Sequence, residues 1–368
     1  MTATQARGLA KQYAGQVAQG IDVQAEKQEK REKQRSDTPK SLRAFLECHY
    51  EEWLLINNRS GKREVQRIKG QFEFLLDLPI NRVHVWHIQK WQAKKLKEGC
   101  SRSTVGRNLA TIRTCFSRGM KWGFFDVNPL AELPSISANG RTTTRYLLKD
   151  EESRLRAALR ERDSDLRKKR GRYNAWRDER HLEPFPSLSE QQFADHLEPM
   201  ILLSLNTGLR RGELFSLRWS NVDLQGKNLS VSGEDAKSGK SREIPLNEEA
   251  YEVLEHWKAG VSNADGNLVF PNKSNEPFRD VKRAWSTIKA RSAITGFRWH
   301  DLRHTFASNL AMNGVAINSI RELLGHSDLT MTLRYAHLSP NHLSTAVETL
   351  SPTISRSSQY GQPIKMGT

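Results

Sequence analysis

The chain has 368 residues, which is enough for two or three domains that each bury a core. Lysine and arginine outnumber aspartate and glutamate by 58 to 42, and the formal net charge of +16 favours a polyanionic partner, with nucleic acid first. Three cysteines exclude a disulfide-rich miniprotein, and no run of about 18 apolar residues is present for a membrane span. We therefore expect a cytoplasmic protein.

The N-terminal part of the chain is predicted to be helical. Residues 1–38 are polar and favour one solvated helix. Residues 39–133 have apolar side chains at helical spacing, and two prolines in the segment NPLAELP end this pattern. The small polar residues of 134–145 indicate an exposed linker, so we expect a domain boundary near residue 140.

The second domain is predicted to span residues 146–350 and to add short strands (NLSVSG, KSREIPL and NLVFP) to its helices. The expected fold class is therefore mainly α with a small antiparallel β-sheet. After the helical segment LLKDEESRLRAALRER the sequence becomes basic and polar, with eleven basic and five acidic residues between Arg154 and Arg180. An exposed charged insertion and an additional phosphate-contacting arm explain this stretch equally well. Residues 351–368 are typical of a mobile tail.

A first candidate site lies in the segment TGLRRGEL. Gly208 is expected to end one helix and to place Arg210 at the start of the next, with Glu213 three residues later on the same face. An arginine held by a carboxylate can present the rest of its guanidinium group to a phosphate. For this segment alone, an ordinary surface salt bridge is an equally good interpretation.

A second candidate lies in HDLRHTFASNL, where an apolar stripe is expected to be buried. His300 and Arg303 project from a neighbouring helix face and could contact one phosphate together. His300 and His304 also have the i, i+4 spacing of zinc ligands, but the segment lacks the glutamate and the nearby cysteines of such sites. We therefore predict no metal here.

The segment LLGHSDLTMTLRYAHL contains a candidate nucleophile. Gly325 is expected to end a helix, so His326 emerges at a turn, and Tyr335 follows nine residues later on the next helix. A phenol has a pKa near 10 and needs cationic or hydrogen-bonding neighbours before it can react at neutral pH. Without that context, a half-buried packing role is the better interpretation of Tyr335.

The hairpin DAKSGKSREIPL places two lysines beside a Ser-Gly turn. Lys237 or Lys240 could donate a proton to a departing oxygen if neighbouring cations lowered its pKa. Lysines that simply keep a turn soluble are the alternative, and the hairpin alone favours it.

The order and spacing of these segments are more specific than any one of them. TGLR-xx-EL, a lysine hairpin, H-x-x-R-H, LGH and a tyrosine nine residues later together resemble the catalytic domain of the tyrosine recombinase (phage integrase) family. The resemblance spans about Leu202 to His337, and the region from about Ser41 to Leu133 looks like the core-binding domain of that family. Residues 1–28 look like a remnant of an arm-binding module.

The resemblance implies an active DNA-cleaving enzyme. Tyr335 would attack a scissile phosphate to give a 3′-phosphotyrosyl link, and Lys237 would protonate the leaving 5′-oxygen. Arg210 and Arg303 would bind the non-bridging oxygens. Such a reaction conserves the energy of the phosphodiester bond and needs no cofactor.

The same resemblance implies supporting roles and partners. His300 and His326 would hydrogen-bond the phosphate or assist proton movement, and Glu213 would orient Arg210. The substrate would be double-stranded DNA at attachment sites of a mobile element, bound by a homotetramer, with an excisionase or a host DNA-bending protein as an accessory factor. The alternatives are a catalytically silent DNA-binding regulator and a metal-dependent nuclease, but the latter predicts acidic clusters that the sequence lacks.

Overall fold

The structure is a computed structural model that describes residues 39, 41–58, 60–134, 136, 144–233, 241–260 and 267–339. The chain divides into two compact units between Arg141 and Thr142. The expected N-terminal polar helix, most of the expected linker and the expected C-terminal tail lie outside the described residues. Within the described ranges, no helix is both long enough and apolar enough to cross a membrane.

The first unit is built from helices. Its α-helices are α1 (Leu42–Phe45), α2 (Glu51–Asn57), α3 (Gly61–Gln71), α4 (Glu73–Leu76), α5 (Val85–Lys97) and α6 (Arg102–Lys121). A π-helical turn at Leu46–Tyr50 joins α1 to α2, and a 3-10 turn at Ile80–Arg82 precedes α5. The periodicity of the sequence therefore predicted the helical character of this region.

Local sequence signals explain where two of these helices begin and what they bury. The side chains of Ser41 and Ser101 each accept a hydrogen bond from the amide three residues later, which caps α1 and α6. Phe45, Phe72 and Phe116 are fully buried in the core that these helices share. Burial of such aromatic side chains is the main stabilising contribution in a unit of this size.

The second unit combines helices with one small sheet. Its α-helices are α7 (Lys149–Asp178), α8 (Leu197–Thr207), α9 (Arg211–Phe215), α10 (Glu248–Gly260), α11 (Lys282–Arg291), α12 (Asp301–Met312) and α13 (Ile317–Leu324). Its strands are β1 (Val222–Asp223), β2 (Asn228–Val231) and β3 (Arg242–Pro245), which pair antiparallel in that order. Leu229 on β2 pairs with Ile244 on β3, and both are buried. The expected fold class is confirmed.

The prediction of a strand at NLVFP was wrong. Leu268 forms an isolated bridge with Arg218, and the segment does not join the sheet. Two main-chain hydrogen bonds tie it to the preceding loop, from Trp219 N to Asn267 O and from Val269 N to Leu217 O. The apolar residues of the segment are buried against these neighbours. A short buried apolar run can therefore lie outside a β-sheet.

Helix α7 is longer than the sequence pattern predicted. We expected a basic polar stretch after residue 162, but the helix continues to Asp178. Its second half is supported by the segment that returns along it: Arg167 donates to the carbonyls of Gln191 and Gln192, and Asn174 exchanges hydrogen bonds with the main chain of Phe185. Polar contacts of this kind leave no apolar periodicity in the sequence.

Two helices end in left-handed glycines that position the later elements. Gly208 ends α8 with φ +62°, and Gly325 ends α13 with φ +61°. A Cβ atom on Gly208 would lie 2.4 Å from Cδ1 of Phe306, so the close packing of this helix end on α12 also requires glycine. Because α8 and α13 both pack against α12, the ends of two helices meet near the start of a third.

Candidate active site

The last carbonyl groups of α13 bind arginine side chains from three other parts of the unit. Terminal carbonyls have no partner inside their own helix, and the helix dipole makes this end negative. The donors lie at the start of α9, on β3 and on α12. The three hydrogen bonds are Arg210 Nη2 to Gly325 O (3.2 Å), Arg242 Nε to Leu323 O (3.0 Å) and Arg303 Nη2 to Leu324 O. The C-terminal end of α13 therefore binds three positively charged side chains close together.

Glu213 joins two of these arginines. Its Oε1 lies 2.8 Å from Nη1 of Arg210, its Oε2 lies 2.7 Å from Nη2 of Arg242, and Oε2 also accepts from the Arg210 amide. Only 4% of Glu213 is exposed. Burial alone would raise its pKa, but the hydrogen bonds and charges of Arg242 and Arg210 outweigh this and lower the pKa to about 2. Glu213 is therefore a buried carboxylate that fixes Arg210, not part of a surface salt bridge.

Arg303 is more deeply placed than the helical pattern suggested. We expected it to project from the helix, whereas it is 3% exposed and donates from Nη1 to the carbonyl of Gly208 (2.7 Å) in addition to its bond to α13. The unpaired carbonyls at two helix ends explain why this charge can be buried. Burial and the neighbouring charge of Arg210 lower its pKa to about 9, so Arg303 remains positive at neutral pH.

His326 follows directly after the end of α13. Its ring is buried, and Nδ1 lies 2.8 Å from the hydroxyl oxygen of Thr332. Burial and the charges of Arg303 and Arg210 lower its pKa to about 3, so the ring is neutral at pH 7. A neutral imidazole whose Nδ1 accepts from Thr332 has its proton on Nε2 and can donate it to an anion.

Tyr335 lies in a 3-10 helix, Leu333–Leu338, where we predicted a helix after the turn at His326. Its amide donates to the carbonyl of Thr332 three residues earlier, which is the spacing of that tighter turn. The side chain is 1% exposed, so it is more deeply buried than the half-buried packing residue that the segment alone suggested. Burial raises the pKa of the phenol, while the positive charges of Arg303 and Arg334 act in the opposite direction.

The phenol of Tyr335 contacts a histidine that the sequence analysis considered only as a metal ligand. The hydroxyl oxygen lies 2.6 Å from Nδ1 of His304. His300, one turn earlier, has its ring nearly perpendicular to that of His304, with 5.0 Å between the ring centres. Partial loss of solvent and the charge of Arg303 lower the pKa of His300. Lys237 and Lys240 lie outside the described residues.

Sequence reasoning missed three members of this cluster, Arg242, Thr332 and His304. For Arg242 a signal existed, because strand alternation puts it on the same face as the buried Ile244, and a charged side chain there needs a buried partner. The contact of His304 joins two segments that are far apart in the sequence, whereas Thr332 lies in the same segment as His326 but belongs to no motif. In the described ranges no group of three or more His, Cys, Asp or Glu side chains could hold a metal ion.

Residues 187–342 match the model of the phage integrase family. This part of the chain is therefore similar to the phage integrase family, as the order of its motifs indicated. The integrase of Salmonella phage P22 is 35% identical over 159 residues, which cover 40% of this chain and 41% of that protein. The tyrosine recombinase XerC of Thermodesulfovibrio yellowstonii is 28% identical over 267 residues, covering 70% and 78%. The aligned part spans less than half of the P22 integrase.

Two solved structures share the fold. The Tn1549 transposon integrase in complex with a circular intermediate DNA aligns with a TM-score of 0.63 and 17% identity over 84% of this chain and 99% of that chain. A lambda integrase dimer bound to a COC′ core site aligns with a TM-score of 0.58 and 19% identity, covering 82% and 97%.

Proposed function

We propose that this chain is a site-specific DNA recombinase that cleaves and rejoins DNA through a 3′-phosphotyrosyl intermediate. The observation that supports this most directly is the convergence of Arg210, Arg303 and His326 at the end of α13, near the buried phenol of Tyr335. Phosphoryl transfer is accelerated by fixed positive groups aimed at the oxygens where charge develops. The two arginines are held by main-chain carbonyls and His326 by the hydroxyl of Thr332, so these groups are fixed before any DNA binds.

The two guanidinium groups have donors left for a phosphate. Arg303 uses two of its five N–H groups on the carbonyls of Gly208 and Leu324, and Arg210 uses two on Glu213 and Gly325. The remaining N–H groups would bind the non-bridging oxygens. His326 would add a third donor from Nε2, and His300 would assist at the same phosphate.

The leaving 5′-oxygen needs a proton when Tyr335 displaces it. We assign this role to Lys237, in the register Lys-Ser-Gly-Lys, with Lys240 as the neighbouring lysine. The 5′-hydroxyl of another strand can then attack the phosphotyrosine in the reverse direction, which rejoins DNA without ATP or any other cofactor.

The proposed substrate is double-stranded DNA at the attachment sites of a mobile element, and the proposed location is the cytoplasm, at the nucleoid. Lambda integrase has been solved as a tetramer bound to a Holliday junction, with a TM-score of 0.58 and 20% identity to this chain. By this likeness we propose a homotetramer on DNA, with an excisionase or a host DNA-bending protein as accessory factors. A catalytically silent regulator of the same fold has no observation in its favour.

A nicked-duplex experiment tests the proposed function with a pool of sequences in place of a single attachment site. The full chain is incubated with chelator and a pool of nicked duplexes of random core sequence, and protein–DNA adducts that survive denaturation are isolated and sequenced. We expect adducts with the wild-type chain and with Tyr173→Phe, since Tyr173 is exposed on α7. Tyr335→Phe should give none. Adducts that persist in Tyr335→Phe, or that require added magnesium, would contradict the proposal.

A further inference from the structure

The hydroxyl group of Tyr335 has one hydrogen-bond partner among the described side chains, and it is a residue to which the family resemblance assigned no role. His304 Nδ1 lies 2.6 Å from the phenol oxygen, and the ring centres are 5.9 Å apart. A general base must lie within about 2.6 to 3.2 Å of the group that it deprotonates. His304 meets this condition in the free chain.

The protonation states of the two groups allow the phenol to donate this hydrogen bond. Burial, with help from the neighbouring His300, lowers the pKa of His304 to about 4, so the imidazole is neutral at pH 7. Burial raises the pKa of the Tyr335 phenol, so its proton stays on the oxygen. In the tautomer with the ring proton on Nε2, Nδ1 of the neutral His304 accepts this hydrogen bond from the phenol.

We propose that His304 is the general base for the Tyr335 nucleophile, an inference that rests on the proposed function. As the phenol oxygen bonds to phosphorus, its O–H bond breaks and the proton moves to Nδ1 of His304. The bond from phosphorus to the 5′-oxygen breaks in the same reaction, and that oxygen takes its proton from another acid. On rejoining, His304 returns the proton to the phenol oxygen as the phosphotyrosine bond breaks.

The other imidazoles near the site are less well placed for this step. Nδ1 of His326 is occupied by Thr332, and the ring of His300 stands edge-on to that of His304. Neither has a hydrogen bond to the Tyr335 hydroxyl within the part of the chain that the structure describes.

Charged neighbours determine how strongly the His304 ring binds the proton. Asp301 favours the protonated ring, and it is itself paired with Arg298, 2.9 Å away. His300, Arg334 and Arg298 disfavour it. The net effect is a base that accepts a proton during the reaction but does not retain it, as reversible cleavage and rejoining require.

The test measures the rate of adduct formation in a single turnover, on one nicked duplex selected from the random pool. His304→Ala should be slower than wild type by about 100-fold, the usual size of a general-base contribution. His337→Ala is the matched control, because His337 is exposed on the same turn as Tyr335, and its rate should be unchanged. Thermal unfolding of each variant shows whether it is folded.

Two further measurements separate proton transfer from a packing role. Added imidazole should accelerate His304→Ala but not the wild-type chain. Replacement of Tyr335 by 3-fluorotyrosine, whose phenol is more acidic, should accelerate His304→Ala more than the wild-type chain, because a more acidic phenol depends less on a base.

The outcomes distinguish this inference from the proposed function. If the wild-type chain forms no adduct, both are overturned. If it forms adducts and His304→Ala is as fast or faster, His304 is not the base and the recombinase function stands. A slow His304→Ala that responds to neither imidazole nor 3-fluorotyrosine would likewise overturn the proton-transfer role alone.

Discussion

The hydroxyl oxygen of Thr332 lies 2.8 Å from Nδ1 of His326, and both side chains are buried. A threonine between the LGH segment and the tyrosine thus holds the imidazole that follows α13. Because the His326 ring is neutral, Nε2 has the ring proton when Nδ1 accepts from the Thr332 hydroxyl.

Thr332→Val keeps the shape of the side chain and removes this contact. We expect stability to fall by about 1 kcal/mol and adduct formation to slow by roughly fivefold, since one neutral hydrogen bond is lost and the ring can reorient. Urea unfolding and single-turnover cleavage measure the two effects. Thr287→Val, at an exposed position of α11, is the control and should change neither. A Thr332→Val chain with wild-type cleavage would show that the threonine does not orient His326.

Arg242→Ala should be strongly destabilising. It leaves the buried carboxylate of Glu213 with only Arg210 as a cationic partner, and breaking a buried ion pair typically costs about 3 to 5 kcal/mol. Urea unfolding measures the loss, and DNA cleavage should fall with it because Arg210 is no longer fixed. Arg43→Ala breaks the exposed pair with Asp77 and should leave the unfolding curve unchanged. Equal stability of the two variants would contradict a structural role for Arg242.

Glu213 should make stability depend on pH in the acid range. Its pKa is about 2 in the folded chain and about 4.3 in an unfolded one, so its stabilising contribution is present above pH 5 and is lost as the pH falls toward 2. The difference of about 2 units corresponds to roughly 3 kcal/mol. Urea unfolding between pH 3 and pH 7 should show this decline. Glu213→Gln should be less stable at pH 7 and should lack the Glu213 part of the decline.

Lys237→Ala should slow strand cleavage, because the leaving 5′-oxygen would lose the proton donor that we propose for it. A substrate with a 5′-bridging sulfur needs no such proton, since a thiolate is a good leaving group, and should restore the rate. Lys240→Ala, three residues further along the sequence, is the matched control and should cleave both substrates normally. If Lys240→Ala is the slow variant that sulfur rescues, the role moves to Lys240.

Helical periodicity predicted most of the fold because the buried stripes of the helices are continuous in sequence. Helical periodicity did not predict the second half of α7, which is stabilised by arginine and asparagine contacts to a returning loop. A helix that depends on main-chain acceptors elsewhere in the chain has no signature in its own apolar residues.

The candidate site could be predicted in its residue types but not in its contacts. Arg210, Arg303 and His326 were identified from motifs, yet nothing in those motifs indicates that the end of α13 would bind both arginines. The contact of His304 with Tyr335 crosses 31 positions of sequence. Such a contact depends on how α12 packs against the turn that contains the tyrosine, and tertiary packing is not encoded in local spacing.

The last turn of α13 fixes the cationic side chains of the candidate site relative to one another. Its three consecutive carbonyls hold Arg242, Arg303 and Arg210, and the next residue is His326. A shift of this turn by one residue, about 1.5 Å along the axis, would misplace four groups at once. Control of this site therefore does not require four separate changes: displacement of this one helix end would misplace all four groups, and its return would restore them.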